Sequence, residues 1–342
     1  METTPDPTHP ATSVSVIIPC FNDEDALPLC LEAVKAQSRP PDELIVVDDA
    51  STDSSAAVAA RFGCRIIRQE RNRGVSAARN RGIAAAFGDL LFFLDSDIEP
   101  HPDAVERAVA AFERDPDLDI VHGVLDPHPL PGSGAVGRYL VGRESHLLHR
   151  SVGPARLARF SVAAARPSVF ERFGGFDEGL RDCEDMEYSA RLGGDAAIAI
   201  AADLRVRHDG EPNLLRALAM MWRRSVPLPE IAARFKHMKF ERMNRLSTLA
   251  AIAAAIAATA AAVLYPPLLL VTAAALVVAL VGERGLLGFA RANYGLPAAC
   301  GFALIHLSVL AVTVCGIAVG LAGRAASGSR PGRRPRVRLR PR

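Results

Sequence analysis

Two carboxylates separated by one residue, Asp95 and Asp97, follow the apolar run Leu90-Leu91-Phe92-Phe93-Leu94. A run of this length bounded by polar residues reads as a buried strand. Side chains at i and i+2 of an extended chain point the same way, so the pair can share one divalent cation and turn it toward a phosphate. Magnesium and manganese suit that task, because both seek oxygen ligands and leave positions open for phosphate oxygens. The same Asp95-Ser96-Asp97 also makes an ordinary solvated turn after a core strand. Neighbouring polar groups bear on the choice. Asp48-Asp49 ends a second apolar run. There Asp49 can accept from an N–H of a nucleotide base, or cap the next helix, a task for which Asp53 and Ser54 are better placed. Arg79 can reach a phosphate or a carboxylate, or lie on the surface of its helix.

The elements that must position these groups alternate. Val14–Pro19 is a β-branched strand, and Leu27, Leu31 and Val34 predict a helix over Asp25–Gln37. Leu44–Val47, Arg65–Ile67 and Leu90–Leu94 read as strands; Ser54–Arg61, Val75–Phe87 and Asp103–Arg114 read as helices. This alternation implies a parallel sheet covered on both faces. A parallel sheet gathers its strand ends along one edge, where open α/β sheets bind ligands. Pro19-Cys20-Phe21-Asn22, Asp48–Asp53 and Asp95–Asp97 would therefore meet in one site. No strand–GxGxxG–helix unit and no GxxxxGK[ST] occurs, which argues against dinucleotide and P-loop chemistry.

At 342 residues the chain has room for about two domains. A formal net charge of +2 argues against a globally basic nucleic-acid binder, so no nucleic-acid partner is expected. The six cysteines form no CxxC pair, which speaks against a zinc site or disulfide framework and for a reducing compartment. Residues 1–12 are polar and proline-rich, expected to be disordered and unlike a signal peptide. The first domain is accordingly expected in the cytosol.

The two halves of the chain differ. Residues 13–221 mix charged and apolar positions as a soluble domain does, whereas Leu246–Val281 holds no charged residue in 36 positions. A spanning helix needs about 20 residues. The run therefore divides into a hairpin, 246–281, turned at Pro266-Pro267, with a second arm short enough to be re-entrant. A third apolar segment, 297–322, is long enough to span, and 282–296 reads as an interfacial loop. Trp222–Arg245 carries seven Lys/Arg against two Glu, a basic amphipathic juxtamembrane segment (222–245) that belongs on the cytoplasmic side. Three spans would then put the tail, 323–342, outside, yet Arg324–Arg342 has eight arginines and no acid and prefers the inside. Either the first run does not cross as two spans or the tail, expected to be disordered, escapes the rule. The expectation is a multi-pass protein of the cell (inner) membrane with its soluble domain cytoplasmic.

Several segments carry a resemblance. Ser15–Asn22, Glu43–Asp53, Asn72–Asn80, the Leu94-Asp95-Ser96-Asp97 motif and Gly174–Glu178 with Glu184-Asp185 resemble, in order, the family-2 inverting glycosyltransferases of the GT-A fold. The resemblance covers about residues 13–210. It implies a GT-A, Rossmann-like, mostly parallel α/β sheet, followed here by an all-α membrane region. It also implies transfer of a sugar, with inversion, from a nucleotide-diphosphate donor. Pro19 and Phe21 would line the base pocket, and Asp49 would bind the base, usually uracil. Asn72 and Arg79 would touch the nucleotide, and Asp95 and Ser96 the ribose and diphosphate. Asp97, with Asp95, would hold Mg2+ or Mn2+, and His208, at a spacing several relatives use, would complete the shell. Asp185 would be the general base, with Glu184 positioning it or binding acceptor.

The chemistry agrees with these roles. A metal ion can neutralise the leaving diphosphate without proton transfer, while the attacking hydroxyl needs a carboxylate within reach. Inversion puts that base opposite the leaving group, hence on another segment than the DxD. One departure is that Ala219–Arg224 lacks the QxxRW of processive relatives, which favours a single transfer. The membrane segments imply a lipid-linked or cell-envelope glycan acceptor, or alternatively polyprenyl phosphate, which needs no strong base. Two other readings are weaker. Nucleotidyl transfer wants a glycine-rich basic loop after the first strand, and Pro19–Glu24 is neither. A catalytically inactive membrane scaffold would lack a key acid, and all are present. The stretch 124–151, rich in Pro, Gly and His, carries no motif that assigns it, an acceptor loop over the site being one reading.

Overall fold

Short β-branched runs alternating with amphipathic helices build a nine-stranded mixed sheet in the computed structural model, which describes residues 12–234 and 246–327. The N-terminal half follows the alternation. Strand β1 (Val14–Cys20) leads to helix α1 (Leu27–Lys35), β2 (Glu43–Asp48), α2 (Ser55–Arg61), β3 (Arg65–Arg68), α3 (Val75–Ala85) and β4 (Leu90–Leu94). In this half β3, β2, β1 and β4 lie side by side and all pairings are parallel. Their ends therefore share one edge. Pro19 is tolerated in β1 because β4 pairs only as far as Ile17, so the missing N–H costs no bond on that side.

Beyond β4 the simple alternation ends. After β5 (Ile98–Pro100), α4 (Ala104–Arg114) and β6 (Ile120–Leu125) comes α5 (Gly134–Arg150). Then follow β7 (Gly153–Ala155), β8 (Val162–Ala165), α6 (Pro167–Phe173), α7 (Glu184–Leu192) and β9 (Ile198–His208). The sheet runs β3-β2-β1-β4-β8-β6-β9-β5, with β7 on β9. Here β8 is antiparallel to β4 and β6, and β9 is parallel to β6 but antiparallel to β5 and β7. The parallel character thus belongs to the first half, and the sheet as a whole is mixed. The stretch 124–151 is not a loop over the site: most of it is the 17-residue helix α5.

Both faces of the sheet are buried, which explains unbroken runs such as LLFFL. Val16, Ile18, Phe92 and Leu94 face α1 and α4, whereas Ile17, Leu91 and Phe93 face the other core. On that second face Phe93, Phe160, Phe176 and Tyr188 form an aromatic stack, with Phe160–Phe176 edge-to-face at 4.8 Å and Phe160–Tyr188 at 5.5 Å. Such pairs add about 0.5–1.5 kcal/mol each beyond area burial. They anchor α7 beneath the strand ends.

The C-terminal region is helical: α8 (Leu214–Ser225), α9 (Leu228–Arg234), α10 (Leu246–Ala261), α11 (Leu268–Gly282), α12 (Arg284–Tyr294) and α13 (Leu296–Ser327). Among the described residues one helix, Leu296–Ala326, is by itself long and apolar enough to cross a membrane. Arms α10 and α11, of 16 and 15 residues, reach about 24 and 22 Å at 1.5 Å per residue, short of a core about 30 Å thick. Helices α11 and α12 pass the length test only together, across a 65° bend. By length and composition, then, one helix among the described residues suits a crossing, or two if α11 and α12 make one bent span, where two or three spans were expected. Segment 282–296 is the helix α12 rather than a loop. Of the segment 222–245, residues 222–234 fall largely in α8 and α9, and 235–245 lie outside the described residues. So do residues 1–11 and 328–342, the latter being most of the arginine-rich tail.

The soluble and C-terminal parts are packed together. Tyr139 of α5 contacts Phe302 edge-on at 5.4 Å and shares a core with Leu286, Ala290, Ala299 and Val309. The corner between α8 and α9 rests on α13, where a Cβ built on Gly320 would run into the carbonyl oxygen of Val226. Only glycine fits this approach.

Candidate active site

Three loops leave the shared edge of the parallel half. Among the described residues, three non-glycine residues adopt positive φ: Asn22 (51°) after β1, Ala50 (63°) after β2 and Cys183 (66°) just before α7. Such conformations persist where surrounding contacts impose them, and they cluster at functional sites. Here the contacts are visible. The backbone N–H of Asn22 donates to Ser51 Oγ at 3.0 Å, and its side-chain oxygen accepts from the N–H of Thr52 at 2.8 Å. The first two loops are thus stitched to each other. Phe21 stands exposed outside them, while Pro19 is buried in β1.

Asp49 is buried. Its Oδ1 accepts from Gln69 Nε2 at 2.7 Å and from the N–H of Arg73 at 2.8 Å, and its Oδ2 accepts from the N–H of Gly74 at 2.7 Å. It therefore fastens the loop entering α3, not the helix after its own strand. Asn72, next to that loop, is exposed and accepts from Arg181 Nη1 at 2.9 Å. Arg73 reaches Glu178 at 2.5 Å, and Asn80 holds the N–H and the carbonyl of Phe176 at 2.8 and 2.9 Å. A Cβ on Gly175 would collide with Asn80 Oδ1. The Gly174–Glu178 segment is thereby locked onto α3.

Arg79 is not a surface residue and does not present its guanidinium to open solvent. It is 2 % exposed, with Nη2 2.8 Å from Asp95 Oδ1 and Nη1 2.8 Å from Glu184 Oε1 and 3.5 Å from Asp185 Oδ1. Its Nε has no hydrogen-bond partner among the described residues. Burial alone would weaken its hold on a proton, but the three carboxylates overcome this and raise its pKa. Arg79 is thus permanently charged and joins the strand-end motif to the Glu184-Asp185 pair.

Asp185 lies in the first turn of α7, which also carries Glu184 and Glu187, a place where helix dipoles favour acids. Its Oδ2 accepts from the N–H of Phe160 at 3.1 Å, and its Oδ1 is buried with no hydrogen-bond partner among the described residues. Burial, reinforced by Glu184 and opposed by Arg79, pushes its pKa up to about 7. It is a carboxylate with one oxygen fixed, one free of hydrogen bonds, and proton affinity near neutrality.

The Asp95–Asp97 turn divides its two acids. Asp95 is committed to Arg79 through Oδ1, which turns that oxygen away from any metal it was expected to hold. Ser96 is buried and its hydroxyl donates to Asp23 Oδ2. Asp97 is half-buried, with Oδ1 enclosed and without a hydrogen-bond partner among the described residues. Its Oδ2 lies 3.7 Å from His208 Nε2. Burial pushes the Asp97 pKa up to about 6, with Asp95 and Asp23 adding to it and His208 opposing. For His208, burial would lower the pKa, but Asp97, Glu144 and Asp95 raise it. The pairing of β5 with β9 sets His208 opposite Ile98, and so beside the turn. Among the described residues no three His, Cys, Asp or Glu side chains converge as a complete metal shell. Asp97 and His208 form an O/N pair of the kind manganese accepts, and the orphaned Oδ1 of Asp97 fits a cation.

Some participants had no sequence signal. Asp23, which receives Ser96, is a loop acid like any other until the fold closes. Glu144, paired with Arg159, lies on α5 and is close enough to act on His208. Nothing in its spacing distinguishes it from a surface helix acid.

A family model described as Glycosyl transferase family 2 matches residues 15–139. Glycosyltransferase AglE of Haloferax volcanii is 30% identical over 185 residues, covering 52% of this chain and 60% of that protein. The chain thus spans less than two thirds of AglE. An uncharacterized glycosyltransferase of Mycobacterium bovis is 30% identical over 204 residues, 55% of this chain and 90% of that protein. Among solved structures, mannosyltransferase PcManGT from Pyrobaculum calidifontis, in complex with GDP-Man and Mn2+, superposes with a TM-score of 0.58. That match covers 96% of this chain and 91% of PcManGT at 20% identity, a likeness of fold.

Proposed function

Because the chain belongs to glycosyl transferase family 2, we propose that it performs a single, inverting transfer of a sugar from a nucleoside diphosphate donor to a lipid-linked or envelope-glycan acceptor. The observation that carries this reading is Arg79, which holds Asp95 on one side and Glu184 and Asp185 on the other. A donor-binding turn and a base held by one buried cation form a single site with two chemically distinct walls. The donor is a UDP-sugar in this reading, although PcManGT is bound to GDP-Man.

Phe21 and Pro19 would line the base pocket, with Asn72 beside them. Asp49 would keep the loop at Arg73 and Gly74 in place, and its remaining lone pair would face the base. Asp97 and His208 would hold Mg2+ or Mn2+, which when bound neutralises charge developing on the leaving diphosphate. Asp185 would take the acceptor hydroxyl's proton on its Oδ1. A base poised near the working pH serves that transfer best. Glu184, held on Arg79 Nη1 at 2.8 Å, keeps the base oriented.

Membrane attachment is supported by apolar side chains that the turn after α10 and the helices α11 and α13 leave uncovered. Val263, Leu264, Leu270 and Leu304 are 84%, 90%, 76% and 70% exposed, a surface that water does not favour. The soluble domain would lie on the cytoplasmic side of the inner membrane. A second acceptor class, polyprenyl phosphate, is favoured by one observation: Arg223 and Arg224 both approach the carboxylate of Asp182, at 3.7 and 3.9 Å, beside the base segment.

The test is a donor screen on the full chain in membranes, with UDP-, GDP- and dTDP-sugars and released nucleoside diphosphate as readout. One donor should be consumed only with divalent metal, and Asp97→Ala should abolish the reaction. Binding of labelled UDP with no turnover of any donor would favour the inactive scaffold instead.

A further inference from the structure

The hydrogen bond on Asp185 Oδ2 comes from Phe160, which follows a stretch without regular secondary structure, 157–159. A carboxylate held from such a segment is aimed only as well as the segment itself is anchored. Several contacts anchor it. His122 Nε2 lies 3.0 Å from the carbonyl of Leu157. The N–H of Ala158 donates to Ser189 Oγ at 2.9 Å. Ser189, one turn after Asp185 on α7, donates in turn to the Asp185 carbonyl at 2.6 Å. Phe160 is fixed in the aromatic stack. The last anchor is Arg159, whose Nη1 meets Glu144 Oε1.

These anchors are not alike. Ala158 and Phe160 are buried in the second core, and their contacts join the segment to that core and to α7. Arg159, between them, reaches α5 instead. There Glu144 sits on a rigid mount. The hydroxyl of its neighbour Ser145 donates to the carbonyl of Leu125, at the end of β6, at 2.7 Å. A Cβ on Gly142 would come within 2.7 Å of Tyr294 Oη and 3.2 Å of Phe302, so α5 is also pressed against α12 and α13. Glu144 thus gives Arg159 a fixed point outside the core that carries α7, and a guanidinium fork takes direction as well as charge from a carboxylate. Their side chains are 19% and 36% exposed, and a pair so open to water adds little to stability. It bears on where the segment lies more than on whether the chain folds.

We propose that Glu144 is a positioning residue: through Arg159 it fixes the segment 157–160, and through the Phe160 N–H it sets the aim of Asp185 Oδ1. Taking Asp185 as the base rests on the reading above. The aim of Oδ1 matters only as the acceptor's proton moves, so the loss of Glu144 falls on kcat and not on donor binding.

The test uses the full chain in membranes, given UDP-glucose, GDP-mannose and dTDP-glucose in turn, with released nucleoside diphosphate as readout. Amide hydrogen exchange over 157–161 is followed in the same chain in detergent. In Glu144→Gln the amides of Ala158 and Phe160 should exchange about tenfold faster, as local opening becomes easier. Its kcat should fall about tenfold, within the ~10²-fold that a 1 Å misplacement can cost, with donor KM and Tm unmoved. Arg159→Gln should match it, and the double variant should be no worse than either single, because both break one link. Unchanged exchange in Glu144→Gln would overturn the proposal, and so would losses that add in the double variant. A raised donor KM at full kcat would do the same, by moving the action of Glu144 to His208 and the donor wall. So would full kcat in Glu144→Gln beside an inactive Asp185→Asn. Full turnover by Asp185→Asn, with exchange still fast in Glu144→Gln, would count against the base reading alone and support the positioning of that carboxylate by Glu144.

Discussion

Arg79 Nη2 lies 2.8 Å from Asp95 Oδ1 in a site where the arginine is almost wholly buried. The other end of the same guanidinium holds Glu184. One side chain therefore sets the distance between the strand-end turn and the first turn of α7, two segments about ninety residues apart in the chain. The planar fork of a guanidinium gives such a bridge direction as well as charge.

Removing that cation should be costly. Arg79→Met leaves Asp95, Glu184 and Asp185 facing one another, and breaking a buried ion pair from one side costs about 3–5 kcal/mol. Thermal unfolding of the detergent-solubilised protein should show a large fall in Tm. Arg79→Lys, which keeps charge but not the fork, should fall less. An unchanged Tm in Arg79→Met would contradict the bridging role.

Asp185 should impose a pH limb on the reaction. As a base it works only when ionised, so kcat for a hydroxyl acceptor should rise with pH through about 7. Asp185→Asn should lower kcat by about 10²–10⁴-fold and remove the limb. Near-normal turnover of a phosphate acceptor by this variant would remove the base role. The stability sign is opposite: a carboxyl whose folded pKa is raised contributes stability that is lost as pH rises from the unfolded value toward 7. Asp185→Asn should therefore hold its Tm better than the parent above pH 7.

Metal dependence should rest on Asp97 and His208 unequally. Asp97→Asn should abolish metal-stimulated turnover. His208→Ala should raise the Mn2+ concentration for half-activity by at least the ~10–100-fold seen when even an outer metal partner is lost. Titration of activity against Mn2+ decides this, and an unmoved midpoint in His208→Ala would exclude the histidine from the shell.

The joint between the α8–α9 corner and α13 can be probed with two glycines. Gly320→Val forces a side chain into the carbonyl of Val226 and should cost about 1–3 kcal/mol by overpacking. Gly323→Val, with nothing within 4 Å of its Cβ, should be nearly neutral. Equal melting curves for the two variants would show that the close approach carries no energy.

The alternation of apolar runs and helices through Leu94 was legible because each element there is local: its period and its flanking acids lie in adjacent residues. So was the gathering of Asn22, Asp49 and Asp97 at one edge, since parallel strands leave no other place for their ends. The lengths of α11 and α13 were likewise readable from hydropathy, including that the segment at 297–322 is long enough to cross. What only the tertiary structure decided is the partnering. Arg79 reads as a helix arginine until Asp95 and Glu184 are brought to it, Asp49 as a cap until the loop at Gly74 folds over it, and 124–151 as a loop until α13 gives α5 a surface to pack on. Those outcomes depend on contacts between residues far apart in the chain, for which spacing along the sequence carries no signal.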